Sequence, residues 1–137
     1  MTLIEPPLMS WALLIGRICL AMPFLVSGLH KGICYRKALE EFRVARVGFV
    51  EITLPATVAL HLTASICLIL GIFVAESALL LAVFTMVATI KVHHFWRMSG
   101  MQRLVISRVA MANLGVVGGL LIVAVTGPGR FALGWPG

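Results

Sequence analysis

Charge is scarce in this chain. Only 12% of its 137 residues are Asp, Glu, Lys or Arg, and five of them are acids. A soluble domain carries about 25%. All five acids lie outside the apolar runs, so no carboxylate pair is placed for general acid–base work. Cysteine is also sparse: Cys19, Cys34 and Cys67 form no C-x-x-C, and an odd count argues against a disulfide scaffold or a zinc knuckle. They read as small apolar packing residues. No phosphate loop and no nucleophile–base pair is present. The opening MTLIEPPLMSW has no Lys or Arg and so lacks the basic region of a signal peptide. The first apolar run is expected to stay in the mature protein.

Apolar residues are abundant, at 61% of the chain. One small core cannot hide that much oily surface, and four membrane spans use nearly all of it. The reading is an all-α, integral membrane four-helix antiparallel bundle. It forms a single domain over 1–137, with spans about 8–29, 52–73, 77–92 and 106–126. The lipid bilayer is the first partner.

The net charge is +6, but the cations fall between the apolar runs, with no basic helix and no aromatic-plus-basic groove. Nucleic acid is therefore excluded as a partner. Lys31, Arg36, Lys37, Arg43 and Arg46 lie in the first connection and Lys91, Arg97, Arg103 and Arg108 in the third, nine of the eleven Lys and Arg. The positive-inside rule places those connections in the cytoplasm and both termini in the periplasm. The segment RKALEEFRVARVGFV is either a short helix lying among headgroups or a plain basic loop.

Helical spacing sorts the polar residues of each span onto one face. In the third span and beyond, Ala78, Ala82, Thr85, Thr89, His93 and Trp96 recur at steps of three and four. Such a stripe of small and polar residues should turn inward, with Leu, Val, Phe and Ile facing lipid. Arg17, Phe24, Gly28 and Lys31 share a face in the first span, and Thr53, Thr57, His61 and Ser65 in the second. In the fourth, Asn113 is the one strongly polar residue, and Gly115 and Gly119 form a G-x-x-x-G pair that invites close helix approach. Pro23 is a candidate kink.

Arg17 and His61 each sit nine residues into a span, roughly 14 Å deep. Ionisable groups at membrane depth are functional candidates by default, and the two are expected to face each other. A neutral imidazole offers one donor and one acceptor, which suits a quinone carbonyl, a water or Arg17 itself. At the cytoplasmic mouth lie His30, Lys31, Lys91, His93, His94, Trp96 and Arg97. Imidazoles there could pass protons, since they titrate near neutral pH. The candidate cofactor-binding set is Arg17, His61, His30, His93 and Trp96, serving a quinone or a proton path. Haem is disfavoured because no second His matches the depth of His61. A metal at His30, His93 and His94 is disfavoured by the adjacent Lys31 and Lys91.

The pattern resembles the DoxX family of small four-helix bacterial membrane proteins. Over about Leu13 to Val123, the family's R…F…G…K stripe matches Arg17, Phe24, Gly28 and Lys31, and its L-G matches Leu70 and Gly71. Its A-T…H-x-F-W is similar to Ala88, Thr89, His93, Phe95 and Trp96. Its Q…N-L…G-G is similar to Gln102, Asn113 and Gly118–Gly119. Family members often carry a Glu ten residues before that Gly, where this chain has His61, so a buried Arg–Glu pair becomes Arg–His. The family name comes from a subunit linked to thiosulfate:quinone oxidoreduction, and other members are associated with redox homeostasis. The resemblance implies an inner-membrane subunit accessory to a quinone-linked oxidoreductase, with a protein partner or a second copy of itself. The alternative is a non-catalytic structural or anchoring subunit of a larger complex. A solute carrier is disfavoured by the lack of inverted repeats.

Overall fold

The computed structural model describes residues 6–92 and 95–133. Its elements are α1 (Pro6–Ile33), α2 (Tyr35–Val44), α3 (Val50–Leu70), α4 (Val74–Val92), a 3₁₀ turn (Phe95–Arg97) and α5 (Gly100–Thr126). Among the described residues there are no strands. Helices α1, α3, α4 and α5 are long and apolar enough to cross a membrane.

The four spanning helices run antiparallel in sequence. Gly28 of α1 lies against His61 and Leu62 of α3, while Arg17, eleven residues earlier, reaches Leu68. Asn113 of α5 meets Thr89 of α4, and Gly119 of α5 meets Leu20 of α1. Contacts are densest between α1 and α3 and between α4 and α5, and sparse between α1 and α5. The inward stripe expected on α4 holds at Ala78, Ala82 and Thr85, which are buried, whereas Thr89 is half-buried and Trp96 is exposed; Leu81, expected to face lipid, is buried too, while Leu80, Val83 and Ile90 are exposed. Small residues there bring neighbouring backbones close, which is how helices associate when lipid removes the hydrophobic drive. Ala78, Leu81 and Ala82 join Ala21, Phe24, Leu68 and Leu120 in the core.

Helix ends differ from the expected spans for identifiable reasons. Helix α3 stops at Leu70 because Gly71, at φ 77°, turns the chain and sends the Gly71 and Ile72 amides back to Cys67 O. The α3–α4 turn therefore falls three residues earlier than the expected hairpin at Val74–Glu76. Helix α5 begins at Gly100 rather than 106, since Arg103 and Arg108 bound the apolar stretch without breaking the helix. Helix α1 runs unbroken through Pro23. The connection after α1 resolves as a helix, with Ala38 buried and Leu39 and Phe42 half-buried, while its cations point outward. His93, His94 and Trp135 lie outside the described residues.

The expected glycine pair is split. A Cβ on Gly119 would stand 2.9 Å from Leu20 Cδ2, whereas one on Gly115 meets nothing within 4 Å. Gly119→Ala should therefore cost about 1 kcal/mol through overpacking against α1. Gly115→Ala should be neutral or stabilising by up to ~1 kcal/mol, because alanine favours the helix. Unfolding of both variants in detergent micelles checks the contrast, and equal effects would contradict the α1–α5 packing.

Candidate functional site

Helix α3 carries the polar seam. Thr57, His61 and Ser65 step by four along one face, and all three are buried. The Thr57 hydroxyl donates to Thr53 O at 2.8 Å, satisfying itself within its own helix. His61 and Ser65 do not. Both ring nitrogens of His61 and the Ser65 hydroxyl are buried, with no hydrogen-bond partner among the described residues. Leaving such groups unpaired costs about 1–3 kcal/mol each.

The imidazole is held by shape. Gly28 lets α3 approach α1, since a Cβ there would lie 3.0 Å from His61 Cβ. Phe24 of α1 and Phe84 of α4 present their rings nearly perpendicular to the imidazole, with centroids 5.4 Å and 4.7 Å away. The aromatic pair fixes where the ring lies and offers its nitrogens nothing to bond.

Two cavities meet at this residue. One, of about 370 Å³, runs beneath α2 and is lined by Lys31, Glu41, Phe42, Thr57, His61, Phe84 and Lys91 among others. The second, of about 240 Å³, is lined by Phe24, Ser27, Thr85, Asn113 and Val116 among others. His61, Lys31, Phe84 and Ala88 line both. Apolar walls with a few convergent polar groups are the usual form of a small-molecule site. Two ammonium groups and one carboxylate, on Lys31, Lys91 and Glu41, leave the entrance net positive. The Lys31 ammonium donates to the Ser27 hydroxyl one turn back.

Arg17 is fully buried, as its depth required, but it does not reach His61. Its Nη1 donates to Leu68 O at 3.2 Å and its Nη2 donates to Phe131 O in the C-terminal tail. Leu68 is seven residues beyond His61, roughly 10 Å along α3. The antiparallel register that sets Gly28 against His61 puts Arg17, eleven residues nearer the start of α1, level with the end of α3. There a cation faces the negative end of the helix dipole. The tail is pinned beside it by Leu133 N donating to Leu70 O at 3.0 Å and by the Trp11–Phe131 ring contact at 4.7 Å. The expected Arg17–His61 pairing is therefore replaced by two separate features: a closed end clasped by Arg17, and an open end leading to His61.

The remaining expected residues are dispersed. His30 is exposed on α1 and lines neither cavity. Trp96 sits in the 3₁₀ turn beside a different groove, between α4 and α5. The Asn113 amide donates to Thr89 Oγ1 at 2.9 Å and ties α5 to α4, and Thr85 bonds back to Leu81 O. Among the described residues no three His, Cys, Asp or Glu side chains are grouped to hold a metal ion. Sequence reasoning missed the flanking Phe84, the Glu41 side of the entrance and Phe131. Phe84 had been assigned with Leu, Val and Ile to the lipid face, and the structure corrects this by setting it against His61; a tail carbonyl that folds back onto the bundle had no signal in the sequence.

A family model described as DoxX matches residues 12–94, which include Arg17, His61 and both lining phenylalanines. Two Escherichia coli K12 proteins are similar along most of the chain. "Inner membrane protein YphA" is 26% identical over 88% of this chain and 86% of its own length. "Inner membrane protein YqjF" is 28% identical over 88% and 87%. No solved structure shows significant similarity.

Proposed function

The chain belongs to the DoxX family, and from that premise we propose that it is a bacterial inner-membrane subunit accessory to a quinone-linked oxidoreductase. The observation that supports this reading most is the buried imidazole of His61, without a hydrogen-bond partner among the described residues, at the junction of two largely apolar cavities. A quinone head group fits it chemically. A carbonyl oxygen accepts from the imidazole N–H, the Phe24 and Phe84 rings flank the flat ring, and the Lys31 ammonium favours any negative charge that develops. Bound there, a quinone would supply two-electron, two-proton chemistry. The protein's part is to orient the head group and exclude water. Arg17, His30 and Trp96 stand outside this set, and Arg17 keeps the far end shut.

The inner membrane is supported by the descriptions of the two relatives. Both termini are placed in the periplasm because the α2 and α4–α5 connections carry the cations. A reporter that works only outside the cytoplasm, fused to Gly137, should be active, and an inactive fusion would reverse the orientation. A structural or anchoring subunit is the competing reading, favoured by the internal bonds that Arg17 Nη1 and Nη2 and the Asn113 amide make. Purification in mild detergent, followed by lipid extraction and identification of co-purifying chains, separates the two. The proposal expects about one quinone per chain and an oxidoreductase partner. A partner with no quinone would favour the anchoring role.

A further inference from the structure

The groove between α4 and α5 is distinct from the His61 cavities and shares only Asn113 with the second of them. It holds about 290 Å³ and is walled by Met86, Ile90, Trp96, Ala110, Met111 and Leu114, and its accessible lining is almost wholly apolar. Asn113 and Thr89 close its floor by bonding each other. Its walls come from Met86 to Ile90 on α4 and from Ser107 to Val117 on α5, so it spans about three turns of α5.

The charge at its mouth is one-sided. From Lys91 to Arg108 there are four cations and no acid. Lys91 follows the groove residue Ile90, and Arg97 follows Trp96 on the 3₁₀ turn. Arg103 is four residues before the groove residue Ser107, so it continues the same face of α5 one turn toward the membrane surface. Both arginines are exposed. An apolar trough that rises to an indole and then to guanidinium groups matches, in order, an acyl chain, a glycerol backbone and a phosphate. Arginine pairs with phosphate oxygens through its planar fork, and basic sites between spanning helices at this depth select anionic headgroups.

We propose that this groove is a binding site for one anionic phospholipid, with an acyl chain in the α4–α5 trough and its phosphate on Arg97 and Arg103. The cations then do more than orient the chain in the bilayer. They recruit a particular lipid beside the turn that joins α4 to α5.

Trp96 is a built-in probe. The W11F/W135F variant leaves it as the sole tryptophan, and the two replaced residues lie far from the groove in sequence and, for Trp11, at the opposite end of α1. This reporter is placed in vesicles of dibromo-acyl phosphatidylglycerol diluted in plain phosphatidylcholine, and in the reverse mixture. Bromine quenches on contact. Two cations near a headgroup imply roughly thirtyfold enrichment of the anionic lipid, so quenching should saturate at a much lower mole fraction of brominated phosphatidylglycerol than of brominated phosphatidylcholine. R97Q/R103Q in the same background should erase the difference. Salt of about 1 M, where the Debye length is ~3 Å, should sharply reduce it in the unsubstituted reporter, and this arm decides the matter if the double variant does not fold. Equal quenching by the two lipids, or a preference untouched by both charge removal and salt, would overturn the proposal and leave the cations as topology signals alone.

Discussion

His61→Leu should lose quinone while gaining stability. Leucine fills nearly the same space between Phe24 and Phe84, so the cavity keeps its shape. What goes is a pair of buried nitrogens that the described residues leave unpaired. Removing such a group relieves a desolvation penalty of about 1–3 kcal/mol. A hydrogen bond to a ligand in an apolar site is worth a similar amount, so affinity for a short-tailed quinone should fall tenfold to a hundredfold. Opposite signs on the two readouts are the signature of a residue retained for a ligand at the expense of the fold. Glutamine, which also carries a donor and an acceptor, should recover part of the affinity. Unchanged quinone binding in the leucine variant would remove His61 from the site, and lost binding with a collapsed fold would make it a packing residue.

The second large effect is expected at the closed end. Gly71→Ala places a Cβ 2.3 Å from Arg17 Nη1 and 2.7 Å from the Ala132 Cα, at a residue whose φ is 77°. The left-handed backbone alone costs about 1–2 kcal/mol with a side chain present. The collision adds to it, because either the guanidinium leaves Leu68 O and Phe131 O or the tail lifts off. Hydrogen bonds from a charged donor are worth ~1.5–3 kcal/mol each, so a loss of about 3 kcal/mol or more is expected in micelle unfolding. Gly100→Ala is the control, since Gly100 also has a positive φ, 62°, but nothing lies within 4 Å of the added carbon. If the two variants lose the same stability, the clasp contributes nothing and Arg17 is free for another task.

These expectations show what the sequence made legible. The Ala78–Ala82–Thr85 part of the α4 stripe and the Arg17–Phe24–Gly28–Lys31 face followed from period alone, because a span has only one way to hide polar atoms from lipid. The burial of His61 followed from its depth. The partner of Arg17 did not follow, because period assigns a face and says little about where along that face a long flexible side chain ends. Arg17 and His61 sit at equal counts from their predicted span starts, yet those starts lie at opposite ends of an antiparallel pair, and the register that sets Gly28 against His61 leaves Arg17 level with the end of α3. The tail carbonyl of Phe131 comes from the far end of the chain, and nothing local to a Gly/Pro-rich segment announces a fold-back. The extension of α5 to Gly100 was hidden because hydropathy marks the lipid boundary, not the helix boundary.

The proposed quinone site is tested most directly by the infrared carbonyl stretch of a short-tailed, carbonyl-13C-labelled quinone bound to the protein. A head group held by His61 should show one carbonyl band moved to lower frequency by hydrogen bonding. That band should shift slightly again when histidine is labelled with 15N, and it should vanish in His61→Leu. A bound quinone whose carbonyl bands match those in plain lipid, in the wild-type protein and the variant alike, would contradict it.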